Sequence, residues 1–448
     1  MARFPSLYMW VLVVWSLAAC SSSDALPPPP PQPVAGPLAF PGAIGHGAAS
    51  KGGRGGRVIA VETLADGGPG SLRACIVAAG PRVCVFRVAG VIRFTSGPPI
   101  ITNPYITIAG QTAPGGGITL AHGGGANGLT PLLIKNSHDV IVRDIRVRPD
   151  IMGLHREGQD GITIESSKDV IIDHVSTSWA LDENINTFAD VDRVTISWSI
   201  FAEGIPRHDK CALFGNPVKN KSQHISFIGN ICAHNGDRNP DVNQHPGSCI
   251  EIANNIFYDA ESQFTEIWET FGGTPVAIVG NVYRKGPSTA DRAVGIDLVQ
   301  IGSTGPARIY RYDNRFDGKF QHVSPLVSAV DQNEPDCPLT IAPVSADDAY
   351  HTVLQQAGAF PRDPVDQRLV AEVENRTGHI VKQPGVIPPI LPGQPYPDVD
   401  GDGMDDRWER LHGTDPGTFD AWQDADGDGT ANLDQFLDYA HQRHMKGE

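Results

Sequence analysis

The chain lacks an apolar run long enough to cross a membrane. A transmembrane helix needs about 20 consecutive apolar residues, whereas the marked apolar stretch of this chain extends only from Tyr8 to Ala19. That stretch follows a short basic start and ends in small residues before Cys20. The arrangement predicts a secretory signal peptide over residues 1–20 rather than a membrane span.

The chain also lacks cysteines at the spacing of a zinc site. Beyond Cys20 it contains six cysteines, an even number in a chain that we expect to be exported, so three disulfides are possible. A short loop separates Cys75 from Cys84, and we predict that these two pair. The pairing of the remaining four stays open: Cys211, Cys232, Cys249 and Cys337.

The chain also lacks an excess of basic residues. The chain has 35 Lys or Arg against 51 Asp or Glu, a formal net charge of -16. Residues 398–448 alone hold fourteen acidic and four basic residues. Because nucleic-acid binding depends on basic surfaces, we expect no nucleic-acid partner.

The segment Leu17-Ala-Ala-Cys20 is similar to the lipobox of bacterial lipoproteins. This similarity implies that Cys20 would be lipidated, and that the protein would reach a membrane only through this anchor, at the cell surface or outer membrane. The alternative is cleavage near Ala19 and release of the protein. Residues 21–38 are rich in Ser and Pro and predict an extended tether.

Neither heptads nor alternating strands and helices organise the central region. Instead, short β-branched runs begin about 24 to 33 residues apart, which indicates a repeat period. They start at these residues: Val140, Val170, Val194, Ile225, Ile250, Val276 and Ile309. This pattern predicts an all-β solenoid, a parallel β-helix whose coils bury their inward residues against one another. A β-sandwich, the alternative, would have strands about 8 to 12 residues apart.

Three of the repeats carry an Asn at the same place, namely Asn230, Asn255 and Asn281. A stacked Asn at a tight turn can bond to the backbone of the next coil and tolerates a left-handed φ. We therefore predict an asparagine ladder at this corner of the solenoid.

Seven short motifs occur in chain order between residues 40 and 240. They are FPGAIG from Phe40, GGRGG from Gly52, GPGSLR from Gly68, IAGQTAPG from Ile108, DHVSTSWALDE from Asp173, HDKCALFGN from His208 and HNGDRNP from His234. Together they resemble bacterial pectate lyases of polysaccharide lyase family 1, over nearly all of residues 39–381. The resemblance implies a right-handed parallel β-helix that uses Ca²⁺ to cleave α-1,4-linked polygalacturonate, an acidic plant polysaccharide, by β-elimination. We expect a monomer.

The resemblance also implies a set of calcium ligands. Asp160 matches the aspartate before the strand that leads into the Asp-His motif, Asp182 and Glu183 match the next acidic position, and Asn186 lies just beyond. Gly158 stands where many members have a further acid. We expect Asp182 and Glu183 to be exposed in the cleft. Either the calcium affinity is modest or substrate carboxylates complete the ligand shell.

Two cations match the family's catalytic positions. Arg238 corresponds to the arginine that removes the proton from carbon 5, and Lys210 to the lysine that contacts the substrate carboxylate. A guanidinium can act as a base only where positive charge lowers its pKa, and we expect Ca²⁺ and Lys210 to do so. Asp241 begins the stretch where the family often has another arginine. Either another cation, such as Arg207 or Lys219, replaces that arginine, or the preferred polymer is not plain polygalacturonate.

Two histidines invite a catalytic interpretation. His208 precedes Lys210, and we expect it to be a hydrogen-bonded turn residue. Asp173 and His174 look like an acid-base pair, but adjacent strand residues point to opposite faces. We therefore expect them to stack structurally without contacting each other.

The acidic C-terminal region, residues 398–448, follows a Pro-rich linker at 382–397 and matches calcium loops. One 12-residue loop has acids at the ligand positions and a Gly at the turn. Its predicted ligands are Asp398, Asp400, Asp402, Met404, Asp406 and Glu409. A second loop offers Asp424, Asp426, Asp428 and Thr430, with Gln435 instead of Glu at its last position. The pair resembles dockerin-like or thrombospondin type 3-like modules, and short helices are expected over residues 407–411 and 433–441.

Two other functions remain open from the sequence. A glycoside hydrolase on this fold would need clustered aspartates as acid and base, and the chain shows no such cluster in its motifs. A non-catalytic β-helix that binds or adheres to glycans would keep the coils but would need neither Lys210 nor Arg238.

Overall fold

The computed structural model describes residues 25–31, 36–153, 158–217, 221–303 and 305–448. The predicted signal peptide, the lipobox with Cys20, and Lys219 lie outside these residues. The chain forms an all-β, right-handed parallel β-solenoid of about 10 turns, as predicted. Its strands build three sheets, here called sheets I, II and III, and from the second strand onward successive strands visit the sheets in that order.

Sheet I has eleven strands. They are Arg57–Val61, Arg82–Phe86, Ile106–Ala109, His138–Arg143, Lys168–Asp173, Asp192–Ser197, His224–Ile228, Cys249–Ala253, Pro275–Val279, Arg308–Tyr312 and Asp331–Gln332. All seven of the runs recognised in the sequence begin on this sheet.

Sheets II and III have nine strands each. Sheet II contains Gly90–Phe94, Ile118–His122, Ile145–Val147, Ser176–Ser178, Ile200–Ala202, Ile231–Ala233, Ile256–Tyr258, Val282–Arg284 and Arg315–Asp317. Sheet III contains Ile100–Ile101, Leu132–Lys135, Ile162–Glu165, Glu183–Phe188, Lys210–Gly215, Asp241–Asn243, Gln263–Glu269, Val294–Gln300 and Gln321–Val323.

The helices lie outside the coils. They are α1 (Leu72–Val77), α2 (Pro325–Ser328), α3 (Ala346–Gln356), α4 (Pro364–Asn375), α5 (Asp406–His412) and α6 (Asn432–Lys446), with a short 3-10 turn at Gly110–Thr112. Helices α5 and α6 confirm the two helices expected in the C-terminal region.

The core consists of aliphatic side chains stacked from coil to coil. On sheet I, Val140, Val170, Val194, Ile225 and Ile250 are consecutive register partners and all are buried. Each side chain therefore packs on the equivalent residue of the next coil. This explains why the apolar runs recur at the coil period.

The predicted asparagine ladder is present and extends to a fourth residue. The backbone N–H of Asn230 donates to Oδ1 of Asn255 at 2.8 Å, and that of Asn255 donates to Oδ1 of Asn281 at 2.9 Å. Asn281 bonds in the same way to Asn314 at 3.0 Å. The left-handed backbone, however, belongs to the residue before each Asn, such as Asn254 with φ of 55°. The ladder residues use their side chains, while their neighbours make the turn.

All six cysteines beyond Cys20 form disulfides. Cys75 pairs with Cys84, as predicted. The pairs that the sequence left open are Cys211 with Cys232 and Cys249 with Cys337.

Helices cover the outer face of sheet II. Helices α3 and α4 pack on apolar residues of its central strands, including Ile231 and Tyr258. An ionic contact reinforces α4, because Nδ1 of His234 lies 2.8 Å from Asp259 and Nε2 lies 3.3 Å from Glu372 of α4. Burial favours a neutral imidazole, but the two carboxylates outweigh it and raise the pKa of His234.

After α4 the chain turns back along the solenoid. This return segment, residues 377–397, bonds to the coils in reverse order: the Thr377 carbonyl accepts from the Tyr258 hydroxyl at 2.7 Å, and the Gly385 carbonyl accepts from the N–H of Ile151 at 3.0 Å. Leu391 then accepts from Gly116 at 2.8 Å. Helices α5 and α6 finally pack on the outer face of sheet I, over residues such as Val83 and Val85.

Sheet III keeps polar side chains on its outer face, and the candidate site lies there. Within the described ranges, no helix is long and apolar enough to cross a membrane.

Candidate active site

The site lies where three neighbouring strands of sheet III begin. Glu183 and Lys210 are direct register partners on adjacent strands, so their side chains emerge side by side. Further along the strands, Asn186, Leu213 and Asp241 form a second register row. The solenoid thus brings together residues that are far apart in the sequence.

Three predicted calcium ligands converge. Asp160, Asp182 and Glu183 each present a carboxylate oxygen, and these atoms lie within 4.8 Å of one another. Asn186 joins them through its amide, which donates to Asp160 at 2.8 Å. Clustered oxygen ligands are what Ca²⁺ prefers, so this donor set fits a hard divalent cation.

Charge repulsion in this cluster is strong. Burial and the neighbouring carboxylates raise the pKa of Asp160 well above its usual value and also raise that of Glu183. Asp182 is partly exposed, but Glu183 is buried, so the expectation of exposed cleft acids is wrong for Glu183. It is buried because it begins a strand and lies beneath the guanidinium of Arg238.

Gly158 borders the cluster, at the position where the family resemblance implies a further acid. A Cβ at this position would lie 3.8 Å from Oδ2 of Asp182, and the backbone φ is 71°. An acidic side chain at this position would therefore lie beside the carboxylate cluster.

The two predicted catalytic cations lie beside the acids, each with a carboxylate partner. Nη1 of Arg238 bonds to Glu183, and its Nε lies 3.6 Å from Oδ2 of Asp241. Nζ of Lys210 pairs with Asp237. The cleft therefore places both cations among carboxylates and keeps partial solvent access.

The electrostatics of Arg238 differ from the expectation. Burial, the largest influence, favours the neutral guanidine, but Glu183 and Asp241 outweigh it and raise the pKa of Arg238. Without a bound cation, the acids around Arg238 keep it protonated. A cation held by Glu183 and its neighbours would oppose this effect.

Two acids of the cleft were not predicted from the sequence. Asp237 lies within a recognised motif, directly before Arg238, and could have been found from that position. Glu266 lies in no motif; it is the register partner of Asp241 and receives a hydrogen bond from the indole of Trp268 at 2.9 Å. Burial, together with Glu266, raises the pKa of Asp241 well above its usual value.

His208 and Arg207 lie at the rim. Nδ1 of His208 is 3.3 Å from Oδ1 of Asp182, and its side chain is exposed. This contact agrees with a bonded turn residue, although the partner is one of the predicted calcium ligands. Arg207 is exposed.

The expectation that Asp173 and His174 do not touch is wrong. Nδ1 of His174 lies 2.7 Å from Oδ2 of Asp173, because His174 has left the strand and adopts a left-handed φ of 49°. Arg143 also contacts Asp173, at 3.0 Å, and His441 of α6 packs edge-on against His174. The pair belongs to a buried contact between the coils and α6, on sheet I and away from the cleft.

The C-terminal acids form further clusters. Asp398, Asp400 and Asp402 have oxygens within 4.8 Å of one another, as do Asp424, Asp426 and Asp428 in the second loop. Of the other predicted ligands, Asp406 accepts a hydrogen bond from the N–H of Val399 at 3.0 Å. Met404 is buried, and Thr430 donates its N–H to Asp428 at 2.7 Å.

The chain is similar to known proteins over most of its length. A family model described as pectate lyase matches residues 106–268. The chain is 34% identical over 406 residues to the probable pectate lyase C of Aspergillus flavus, which covers 86% of this chain and 90% of that protein. A pectate lyase of Nicotiana tabacum is 29% identical over 210 residues, 42% of this chain and 49% of that protein.

Solved structures share the fold at low identity. Jun a 1, the major allergen from cedar pollen, has a TM-score of 0.55 and 17% identity, covering 71% of this chain and 92% of that one. Pectate lyase Bsp165PelA from Bacillus sp. N165, in complex with trigalacturonate, has a TM-score of 0.50 and 17% identity, covering 71% and 99%. The sequence relatives identify the chain as an enzyme that belongs to the pectate lyase family.

Proposed function

We propose that this enzyme cleaves α-1,4-linked polygalacturonate by calcium-dependent β-elimination in the cleft on sheet III. The observation that carries the proposal is the convergence of Asp160, Asp182 and Glu183 beside Lys210 and Arg238. This reaction needs acidic side chains that can bind a divalent cation. It also needs basic side chains that can contact the uronate.

The chemistry requires the substrate carboxylate to be neutralised. The proton on carbon 5 is only weakly acidic, because its removal places further negative charge beside a uronate. Bound Ca²⁺ would withdraw electron density from that carboxylate. Asp160, Asp182 and Glu183 would hold the ion, with the Asn186 oxygen at the edge, and Lys210 would contact the carboxylate.

Arg238 takes the proton in this scheme. Its guanidine accepts the proton of carbon 5, the electron pair of that bond forms the double bond between carbons 4 and 5, and the bond from carbon 4 to the glycosidic oxygen breaks. The departing oxygen is protonated by solvent. Arg238 lies at the junction of the acid cluster and the open cleft, a quarter exposed, which supports this role.

The acids next to Arg238 on sheet III suggest that the preferred polymer is partly neutral. Asp241 and Glu266 continue the sheet III row directly next to Arg238, where a second cation would have attracted a uronate. A sugar bound over this row would be neutral, for example a methyl-esterified residue. A lyase for a partly neutral uronate polymer is therefore the second candidate.

We also propose that the protein is exported. Three disulfides support an oxidising compartment. The lipid anchor at Cys20 and the monomeric state stay predictions.

The decisive experiment follows the ultraviolet absorbance of unsaturated product from polygalacturonate and from partly methyl-esterified pectin. We expect product that disappears with excess chelator, returns with Ca²⁺ and increases towards alkaline pH. Full activity in chelator would contradict the calcium mechanism. Binding of polymer without product would instead favour the non-catalytic, glycan-binding alternative.

A further inference from the structure

A group of three carboxylates lies between α5 and the second acidic loop. Asp402 lies in the middle of the first loop, Glu409 lies on α5, and Asp420 precedes the second loop. Their oxygens lie within 4.8 Å of one another. Asp402 and Glu409 are 0% exposed, and Asp420 is 8% exposed.

Three buried oxygens of this group are unpartnered. Both carboxylate oxygens of Glu409 and Oδ2 of Asp402 have no hydrogen-bond partner among the described residues. The nearby cation, Arg87, pairs with Asp398 instead, at 3.6 Å. Burying carboxylates without a hydrogen bond or an opposite charge is strongly unfavourable, so the arrangement calls for a bound cation.

We propose that Asp402, Glu409 and Asp420 bind one Ca²⁺ ion, with Asp420 closing the site from outside the 12-residue loop. The donors are all carboxylate oxygens, which Ca²⁺ prefers, whereas Zn²⁺ and the later transition metals favour His or Cys. Asp406, the ligand expected from loop spacing, turns its Oδ1 to the N–H of Val399. Asp420 thus takes the place that the linear motif gave to Asp406.

The ion would fasten the C-terminal region to the first coils. Between the ligands, Gly403 approaches sheet I so closely that a Cβ would lie 2.9 Å from Cγ1 of Val58. Met404 and Trp408 pack in the same cluster as Val83 and Val85. The ligands Asp402 and Glu409 flank these contacts in the sequence. The ion would therefore fix both ends of the segment that packs on sheet I, here called the docked surface.

A second contact with the solenoid lies close to Asp420 in the sequence. Two residues after Asp420, the indole of Trp422 donates to the carbonyl of Gly56 at 2.8 Å. All three ligands are therefore within a few residues of an anchor on the solenoid. Loss of the ion should loosen this docked surface and not the central coils.

The second loop provides a matched control. Asp424, Asp426 and Asp428 are exposed, and the side-chain amide of Gln435 already donates to Asp426 at 3.1 Å. This loop resembles the first in sequence, but its acids are solvated and each of them accepts a hydrogen bond. It should bind Ca²⁺ weakly, and its loss should not affect docking.

The test measures direct Ca²⁺ binding and thermal unfolding on the full mature chain, with Ca²⁺ alone as ligand. We expect Glu409→Gln to bind one ion fewer than the parent and to lose most of the calcium-dependent rise in Tm. Asp420→Asn should weaken the same site at least tenfold. Asp426→Asn should keep both the tight ion and the rise in Tm.

A cleft variant separates this site from the catalytic one. Asp182→Asn should keep the calcium-dependent rise in Tm, so the inference does not depend on the proposed lyase mechanism. Unchanged stoichiometry and Tm response in Glu409→Gln would overturn the inference, because Glu409 would then be a buried neutral acid. If Glu409→Gln fails to fold, as judged by circular dichroism, Asp420→Asn decides: parent-like calcium affinity in that variant overturns the proposed ligand set.

Discussion

Replacing Arg238 with Lys tests the proposed base most directly. The guanidinium reaches two acids at once, Glu183 through Nη1 and Asp241 through Nε at 3.6 Å. An ammonium offers a single charged atom, so it can keep one of these partners but not the planar, forked geometry. The cation stays in the cleft, while the group that accepts the proton is lost.

The expected loss is large because the removed group is a general base. Such groups typically contribute 10²- to 10⁴-fold, so kcat should fall by about 10² or more, equivalent to roughly 3 kcal/mol of transition-state stabilisation. Polymer binding in the presence of Ca²⁺ should change little, since positive charge is retained.

The assay compares initial rates of unsaturated product at saturating polygalacturonate with polymer affinity measured separately. Arg193→Lys is the matched control, because Arg193 pairs with Asp169 on sheet I, away from the cleft. Near-normal kcat with weaker binding in Arg238→Lys would refute the base role and leave Arg238 as a substrate contact.

Three further predictions concern the cleft, α4 and the asparagine ladder. Asp182→Asn should raise the Ca²⁺ concentration needed for half-maximal activity about tenfold, because one carboxylate ligand is lost; a parent-like calcium titration would contradict the ligand assignment. The raised pKa of His234 means that its protonated form stabilises the fold below about pH 6.5, and that this stability is lost as the pH rises through the folded-state pKa. Denaturant titrations across this range should show a flatter profile in Glu372→Gln, and an identical profile would exclude the contribution of the α4 contact. Asn255→Ala should destabilise the protein by about 2–4 kcal/mol, because a buried backbone N–H loses its acceptor and the ladder is interrupted. Asn375→Ala, at the exposed end of α4, should cost far less, and equal losses in the two variants would show that the ladder adds nothing.

The coil architecture could be predicted because each coil repeats the same local pattern. Residues such as Val170 and Val194 lie at equivalent positions, so the period of the solenoid is visible in one sequence. The ladder followed from the same repetition. The contact of Asp173 with His174 was mispredicted because the strand ends at Asp173, and alternation of side chains holds only within a strand.

The cleft could be predicted only where motifs marked it. Arg238 and Lys210 were found through the family resemblance, as was the acid cluster. Glu266 escaped because its importance comes from register with Asp241 across neighbouring coils, and a single sequence does not reveal that register. Asp420 escaped for a related reason: a linear loop motif counts positions along the chain, whereas this carboxylate approaches from a later turn.

The return segment changes how the solenoid should unfold. In a stack of coils, each coil contacts only its neighbours, so such proteins can fray from their ends. Here the chain passes from Tyr258 back to Gly116, and α6 then reaches Asp144 through His441 at 2.9 Å. The return segment therefore couples coils that are distant along the solenoid. This coupling should make the unfolding of those coils cooperative. Stepwise loss of the coils between Gly116 and Tyr258 would have to release this segment, which favours their unfolding in a single transition.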